Sequence, residues 1–294
     1  MKHTIENKFL KVCAKEEGAE LVSIIDLATQ TEMLWQGDKE YWEGQSPILF
    51  PTIGNCAAQT IHVDGKAYQM PKHGLVRLLK FHMAEKGDNF IKFEVSDTPY
   101  TLEHYPYHFR LTVCYKLEGK VLIVRFQVNN DNNEGCLPFQ LGAHPAFNLP
   151  EFGPSDDAHG YLSFNFSDKI VSNGLRPGGH LWPEGSFDVR LDDSGMLELN
   201  NHTFDCDTLL DTREIANTCS LYNKNRKKLL TVEFDSPVLA LWAPCGGNAP
   251  FVCIEPWWGC CDQAEYDDEF SKRPWTVIVA PRQEHVINYK ISMS

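Results

Sequence analysis

Strict alternation of apolar and polar residues is the feature that most constrains the fold of this chain. In FRLTVCYKL (residues 109–117) every second residue from Phe109 to Leu117 is apolar, and VLIVRFQVNN (121–130) repeats the pattern. NFIKFEVSD, LSFNFSD, LLTVEFDS and HVINYKIS have the same period. A period of two places the apolar side chains on one face of a β-strand, whereas an amphipathic helix repeats every 3.6 residues or so, roughly twice as far apart. The sequence therefore predicts a chain of strands with one buried face.

Turn-forming residues separate these segments. Asp64-Gly65 predicts a tight hairpin, and LEGK (117–120) predicts another. DNNEG (131–135) and SNGLRPGGHLWPEG (172–185) are predicted loops, while TREIANT (212–218) and EYDDEFSK (265–272) are each expected to supply a helical turn or two. Because no linker or repeat divides residues 1–294, we predict a single domain. Its expected fold is all-β, a large antiparallel β-sandwich whose concave face is able to hold a ligand.

The charge balance indicates which partners to exclude. The formal net charge is −13, and the longest basic run is NRKKLL at 225–230. Nucleic acid and anionic membrane surfaces would be repelled, so the expected partner is a neutral small molecule. The first residues, MKHTIENKFL, lack the apolar core of a signal peptide. No apolar run approaches the roughly 18 residues that span a bilayer.

The ten cysteines include no CxxC pair, and Cys260 and Cys261 are adjacent. Neither a zinc knuckle nor an ordinary disulfide fits that spacing. We therefore expect reduced thiols, mostly buried, in a cytoplasmic protein.

One carboxylate, Glu255, interrupts the apolar and aromatic run FVCIEPWWG (251–259). Burying an ionised carboxylate without partners costs on the order of several kcal/mol. The side chain could pair with an arginine, point outward from an edge strand, or handle protons on a bulky, semi-polar substrate. This segment alone leaves the three interpretations open.

Other polar residues lie in similarly unusual positions. His144 lies within LPFQLGAHPAF, and His73 precedes a glycine in PKHGLVR with Arg77 four residues further on. FDCDTLLDT carries three aspartates: Asp205, Asp207 and Asp211. A hydrogen-bonded core histidine, a turn and a polar loop would explain them as well as a functional site would.

Five segments follow one another in a characteristic order: SPILFPTIG (46–54), PKHGLVR (71–77), LPFQLGAHPAF (137–147), FDCDTLL (204–210) and FVCIEPWWG (251–259). This order resembles that of the aldose 1-epimerase (mutarotase) family, most closely its LacX-like branch, over nearly the full length. G-x-H-P-x-F and C-I-E-P-W are the specific motifs. The resemblance implies the galactose-mutarotase-like supersandwich, a large antiparallel β-sandwich.

The resemblance also implies a reaction, the interconversion of α and β anomers of a free aldose. The ring opens when the C1 hydroxyl loses a proton and the ring oxygen gains one. The reaction therefore needs one base and one acid, and it needs neither a metal nor a redox cofactor. By resemblance, Glu255 is the base at the C1 hydroxyl and His144 the acid at the ring oxygen. The aromatic setting is expected to raise the pKa of Glu255.

Substrate-binding residues follow from the same resemblance. His73 corresponds to a second histidine near the ring oxygen, and Arg77 is expected either to bind a sugar hydroxyl or to pair with Glu255. Asp207 is the expected substrate-binding aspartate, with Asp205 as the alternative. Trp257 is expected to face the sugar; Trp258 could do the same, or one of the two could belong to the core.

Two departures from the family pattern leave the sugar open. Gly54-Asn55 replaces a common Gly-Arg, and Gln59-Thr60-Ile61 replaces the N-R-I of galactose mutarotases. Three rival functions are a non-catalytic sugar-binding module, a glycoside hydrolase or lyase, and a mutarotase of hexose 6-phosphates. A hydrolase typically needs two carboxylates, and a hexose 6-phosphate calls for a basic cluster in the pocket.

Overall fold

Twenty-five strands and one short α-helix make up the computed structural model, which describes residues 1–246 and 249–294. The first strands are β1 (Lys2–Glu6), β2 (Leu10–Lys15), β3 (Leu21–Asp26), β4 (Thr31–Glu32), β5 (Ile48–Leu49), β6 (Thr60–Val63), β7 (Lys66–Gln69), β8 (His82–Lys86), β9 (Phe90–Ser96), β10 (Phe109–Glu118), β11 (Val121–Asn130) and β12 (Leu137–Phe139). The remaining strands are β13 (Leu141–Ala143), β14 (Ala146–Asn148), β15 (Gly160–Phe164), β16 (Lys169–Arg176), β17 (His180–Arg190), β18 (Met196–Leu199), β19 (Leu209–Asp211), β20 (Thr218–Asn223), β21 (Lys228–Phe234), β22 (Val238–Trp242), β23 (Phe251–Trp258), β24 (Val277–Val279) and β25 (Glu284–Met293). Helix α1 spans Pro99–His104, and short 3-10 helices span Ala57–Gln59, Val76–Leu78 and Phe270–Lys272.

The largest sheet has nine strands in the order β18-β15-β20-β21-β25-β11-β10-β9-β8. Strands β10 and β11 form the hairpin predicted at LEGK, with Val113 opposite Phe126. Along β10 the apolar residues from Phe109 to Leu117 are buried, and the residues between them are partly or fully exposed. The alternation therefore marks a sheet with one buried face, as predicted.

A second sheet, of six strands, has the order β19-β22-β23-β13-β5, and β14 also pairs with β23. Its inner face packs on the nine-stranded sheet, since Ile254 of β23 belongs to the same buried cluster as Val113 of β10. The predicted antiparallel β-sandwich is thus confirmed. Every residue of β23 is buried, so its outer face, which carries Glu255, is covered as well.

Smaller sheets complete the structure. Strands β1 to β4 form a four-stranded sheet in chain order, and β6–β7, β12–β24 and β16–β17 form two-stranded ribbons. The β6–β7 ribbon is the hairpin predicted at Asp64-Gly65, and Gly65 has a φ of +73°.

The loop predicted at 172–185 is wrong, because most of it is the hairpin of β16 and β17. Only residues 177–179 form the turn, where Gly178 and Gly179 have φ of +93° and +72°. Within the ribbon, a Cβ on Gly174 would lie 2.5 Å from the carbonyl oxygen of Gly185. Gly174 and Gly185 therefore allow the two strands to pair closely next to a β-bulge, and they do not mark a flexible loop.

The helical expectations also need correction. TREIANT contains no helix, and EYDDEFSK contains only the 3-10 turn at Phe270–Lys272. Helix α1 lacks a strong amphipathic pattern; it begins with a capping box between Thr98 and Thr101 and a proline in its first turn. Short helices of this kind depend on caps, which periodicity does not detect.

All ten cysteines are free thiols. Half of them are buried, fewer than expected: Cys56, Cys219, Cys253, Cys260 and Cys261. Across 1–246 and 249–294, no helix is both long and apolar enough to cross a membrane.

Candidate active site

A cavity of about 770 Å³ opens on the outer face of the six-stranded sheet. Glu255 reaches it from β23, and His144 from the connection between β13 and β14. His73 enters from the turn before the 3-10 helix at Val76–Leu78, and Asp207 from the segment before β19. The motifs that are far apart in the sequence therefore meet in one place.

His144 and Glu255 are in direct contact on the cavity floor. The Nε2 atom of His144 lies 3.2 Å from Oε2 of Glu255, and the indole Nε1–H of Trp257 donates a hydrogen bond of 3.2 Å to the same oxygen. Glu255 is 1% exposed and lies on a strand with neighbours on both sides. Because β23 is an inner strand, and because no arginine among residues 1–246 and 249–294 pairs with Glu255, the edge-strand and arginine-partner interpretations of this carboxylate are wrong.

Burial shifts the pKa values of Glu255 and His144 in opposite directions. It raises the pKa of Glu255 well above the usual glutamate range, against smaller opposing effects from the Trp257 hydrogen bond and the charge of Lys72. It lowers the pKa of His144 to about 3. A carboxyl and an imidazole in contact titrate as a unit. The pair therefore holds one proton between the lowered step of His144 and the raised step of Glu255.

Aromatic rings fix the orientation of His144. Trp42 stacks on the imidazole at 4.9 Å between ring centroids, and Trp242 and His73 meet it edge-on at 5.8 Å. Both tryptophans line the cavity. Neither Trp42 nor Trp242 lies in a sequence motif, so neither was predicted as a site residue, and only the folded chain brings them to His144.

His73 is held as a neutral hydrogen-bond donor. The backbone N–H of Gly54 donates to its Nδ1 at 3.1 Å, so the proton of the neutral ring lies on Nε2. Burial lowers the pKa of His73 well below its usual value, and the charge of His144 adds to this effect. At the next residue, a Cβ on Gly74 would lie 2.2 Å from the carbonyl oxygen of Phe50. The His-Gly pair thus combines a site residue with a position that only glycine can occupy.

Comparison with known proteins places this arrangement in a family. The family model described as aldose 1-epimerase matches residues 1–292. This chain belongs to the aldose 1-epimerase family. The chromosomal LacX protein of Lactococcus lactis subsp. lactis is 31% identical over 306 residues, which cover 98% of each chain.

Solved structures of similar proteins agree with this family assignment. A galactose mutarotase related enzyme from Lactobacillus acidophilus superposes with a TM-score of 0.91 at 27% identity, covering 100% of this chain and 97% of the other. A galactose mutarotase-like protein from Lactobacillus casei ATCC 334 gives the same score and identity, with 100% of both chains covered. The galactose-mutarotase-like fold expected from the sequence is therefore confirmed.

Within this epimerase-family cavity the two candidate aspartates are separated. Asp207 lies on the wall, where its Oδ1 accepts a 2.7 Å hydrogen bond from the Thr208 backbone. Asp205 instead lies 2.9 Å from the exposed His202, and Asp211 pairs with Arg213. Only Asp207 is placed to meet a ligand.

Arg77 lies on the rim, and its Nη2 donates a 3.3 Å hydrogen bond to the carbonyl oxygen of Lys72. Within the described residues it forms no ion pair with Glu255, so that alternative is wrong. Lys39 and Lys72 also line the cavity and are exposed. These three cations, called the basic rim below, share the cavity lining with Glu43 and with the Lys15–Glu20 ion pair.

The two adjacent tryptophans of β23 face opposite sides of the sheet, as strand geometry requires. Trp257 lines the cavity, whereas Trp258 lies in the main core and donates a hydrogen bond of 3.1 Å to Asp235. Phe147 is fully buried in the same core. Of these three rings, only Trp257 belongs to the site.

Proposed function

We propose that this chain is an aldose 1-epimerase that interconverts the α and β anomers of a free aldose. The observation that carries the proposal is the His144–Glu255 contact of 3.2 Å on the floor of a cavity of about 770 Å³. Anomerisation needs a base for the C1 hydroxyl and an acid for the ring oxygen. A buried carboxyl–imidazole pair that holds a single proton has that composition.

The reaction follows from moving this one proton. In the reactive form the proton lies on His144 and Glu255 is ionised, and transfer across the 3.2 Å contact interconverts this form with its neutral tautomer. Glu255 removes the proton of the C1 hydroxyl while His144 protonates the ring oxygen, and the C1–O5 bond breaks. After rotation about C1–C2 the hydroxyl oxygen adds to the other face of the aldehyde. Its proton returns to His144, and Glu255 protonates the new C1 hydroxyl.

The remaining wall residues bind and orient the sugar. His73 donates its Nε2–H to a sugar oxygen, since its Nδ1 already accepts from Gly54. Asp207 accepts hydrogen bonds from sugar hydroxyls, and Arg77 donates to one from the rim. The ring of Trp257 covers apolar C–H groups of the sugar, while its Nε1–H holds Glu255.

A hexose 6-phosphate is a second candidate substrate, favoured by the basic rim of Lys39, Lys72 and Arg77. Burial is the main cause of the low pKa values of His144 and His73, and the charge of Lys72 adds to both, as that of Arg77 adds to His73. Lys72 and Arg77 are therefore close enough to the site to attract an anionic group on the substrate.

A polarimetric sugar panel tests the proposal. Pure α-anomers of glucose, galactose and glucose 6-phosphate are dissolved with and without enzyme, and the approach to anomeric equilibrium is followed. We expect acceleration with at least one of them. Binding of a sugar without acceleration would identify a non-catalytic binding protein. Acceleration confined to the phosphorylated sugar would select the second candidate.

A further inference from the structure

Three potential metal ligands of different chemistry meet at the cavity floor, where His144 and Glu255 line the cavity and Cys253 is buried beside them. One ligand atom each from His144, Cys253 and Glu255 lies within 4.8 Å of the other two, and all three residues are buried. Cys253 and Glu255 are two residues apart on β23 and so share a face. Ala146 lies opposite Cys253 in the neighbouring strand β14, which brings His144, two residues earlier, to the same place.

The spacing fits a tetrahedral ion with little adjustment. Zinc binds thiolate sulfur at about 2.3 Å and imidazole nitrogen or carboxylate oxygen at about 2.0–2.2 Å, so neighbouring ligand atoms lie roughly 3.3–3.7 Å apart. The Nε2 of His144 and Oε2 of Glu255 are already 3.2 Å apart. The Cys253 sulfur lies within 4.8 Å of both atoms, so each of its two distances has to shorten by at most roughly 1.5 Å.

We propose that His144, Cys253 and Glu255 bind Zn²⁺, and that the bound ion inhibits the epimerase. The thiolate and the carboxylate together neutralise the charge of the ion, so the buried site carries no net charge. The thiol proton of Cys253 and the proton of the His144–Glu255 pair leave to solvent. Zinc binding stands apart from the proposed function, whereas the inhibition rests on it, because the ion replaces the proton that ring opening uses.

The ligand set also indicates which ions bind, and how tightly. Thiolate and imidazole favour zinc and similar transition metals over Mg²⁺ and Ca²⁺, which take oxygen ligands. Three protein ligands leave a fourth position, as in zinc sites that admit a small ligand. Nδ1 of His144 is buried and has no hydrogen-bond partner in the part of the chain that the structure describes, and missing support of this kind typically weakens metal affinity about 10–100-fold. We therefore expect reversible binding that chelators remove.

Cobalt spectroscopy tests the site without any activity assay. Co²⁺ added to the apo protein should give the intense thiolate-to-cobalt absorption of a cysteine-ligated ion, and Zn²⁺ should displace it. Cys253→Ala and Cys253→Ser should each abolish this absorption. The matched control is Cys219→Ala, which removes a cysteine that is equally buried but lies in the nine-stranded sheet, and it should keep the absorption. Thermal unfolding establishes that each variant is folded.

Inhibition is measured on the sugar accelerated most in the polarimetric panel. Zn²⁺ should inhibit the wild type, EDTA should restore it and Mg²⁺ should have no effect. Cys253→Ala should keep basal activity and raise the half-inhibitory Zn²⁺ concentration at least about tenfold. Absence of the cobalt–thiolate absorption, or equal inhibition of Cys253→Ala, would overturn the proposal. If no sugar is turned over, the cobalt spectrum still decides the metal site, so failure of the two proposals is distinguishable.

Discussion

His144 and Glu255 hold one proton between them, and their opposite pKa shifts determine how the activity depends on pH. The reactive pair is lost in acid when His144 gains a second proton, and burial lowers the pKa of that step to about 3. It is lost in alkali when the last proton leaves, and burial of Glu255 raises the pKa of that step. The one-proton state is therefore the favoured one between these two steps.

We accordingly predict a flat kcat/KM profile through neutral pH. Its acid limb should lie well below the ordinary histidine pKa of about 6.5, because the profile of kcat/KM reports the free enzyme. Initial rates of anomerisation between acid and alkaline pH, with stability checked at each pH by thermal unfolding, measure it. An acid limb at the ordinary histidine pKa would show that His144 titrates as a solvated imidazole.

Asp207 and Asp205 provide a matched pair of substitutions. Asp207→Asn removes a charged acceptor from the cavity wall but keeps an oxygen able to accept from Thr208. Since a hydrogen bond to a charged group contributes about 1.5–3 kcal/mol, we predict that kcat/KM falls roughly tenfold or more. Asp205→Asn should leave the kinetics unchanged. If the two substitutions had equal effects, the assignment of Asp207 as the substrate-binding aspartate would be wrong.

At the scale of elements, β23 separates the site from the core through its alternating faces. Glu255 and Trp257 face the cavity, while Ile254 and Trp258 face the other sheet. Because both faces are buried, the strand has no polar–apolar alternation, and the sequence alone left the direction of Glu255 open. The pairing of β23 with β22 on one side and β14 on the other is what distinguishes its two faces.

We predict that Trp257→Phe and Trp258→Phe have different effects. The first removes the N–H that holds Glu255, so kcat should fall, with some loss of stability because Trp257 packs in a buried cluster. The second removes the bond to Asp235 and leaves a smaller ring in the core, so the free energy of unfolding should fall by roughly 1–3 kcal/mol with activity retained. Urea titrations and anomerisation rates measure both; a reversed outcome would contradict the assigned faces.

The sequence predicted those elements whose burial is one-sided. Strands β10 and β11 alternate because one face meets the core and the other meets solvent. The glycines of the ribbon β16–β17 are typical of turns, so the sequence predicts a loop where the structure has a hairpin. His144 and Glu255 could be paired only through resemblance, and Trp42 could not be found at all, because its contact with His144 exists only in the folded chain.

For the whole molecule, we propose that residues 1–294 fold as a single domain. The C-terminal strand β25 lies between β11 and β21 in the nine-stranded sheet, so segments that are far apart in the sequence form one continuous sheet. We predict a single unfolding transition in urea, with tryptophan fluorescence and far-ultraviolet circular dichroism coinciding. Two separated transitions would indicate independent domains.

The net charge of −13 describes the whole surface and conceals the basic rim of Lys39, Lys72 and Arg77. The overall charge therefore disfavours binding of polyanions, whereas an anionic group on an aldose in the cavity would meet the rim first.

The central claim, that His144 and Glu255 open the sugar ring, is tested most directly by proton NMR exchange between the α and β anomeric signals of a sugar at equilibrium. The wild-type protein should produce exchange that buffer lacks. Glu255→Gln and His144→Asn should each reduce the exchange rate about 10²–10⁴-fold while the protein stays folded. If the folded Glu255→Gln variant kept the full wild-type exchange rate, the account would be contradicted.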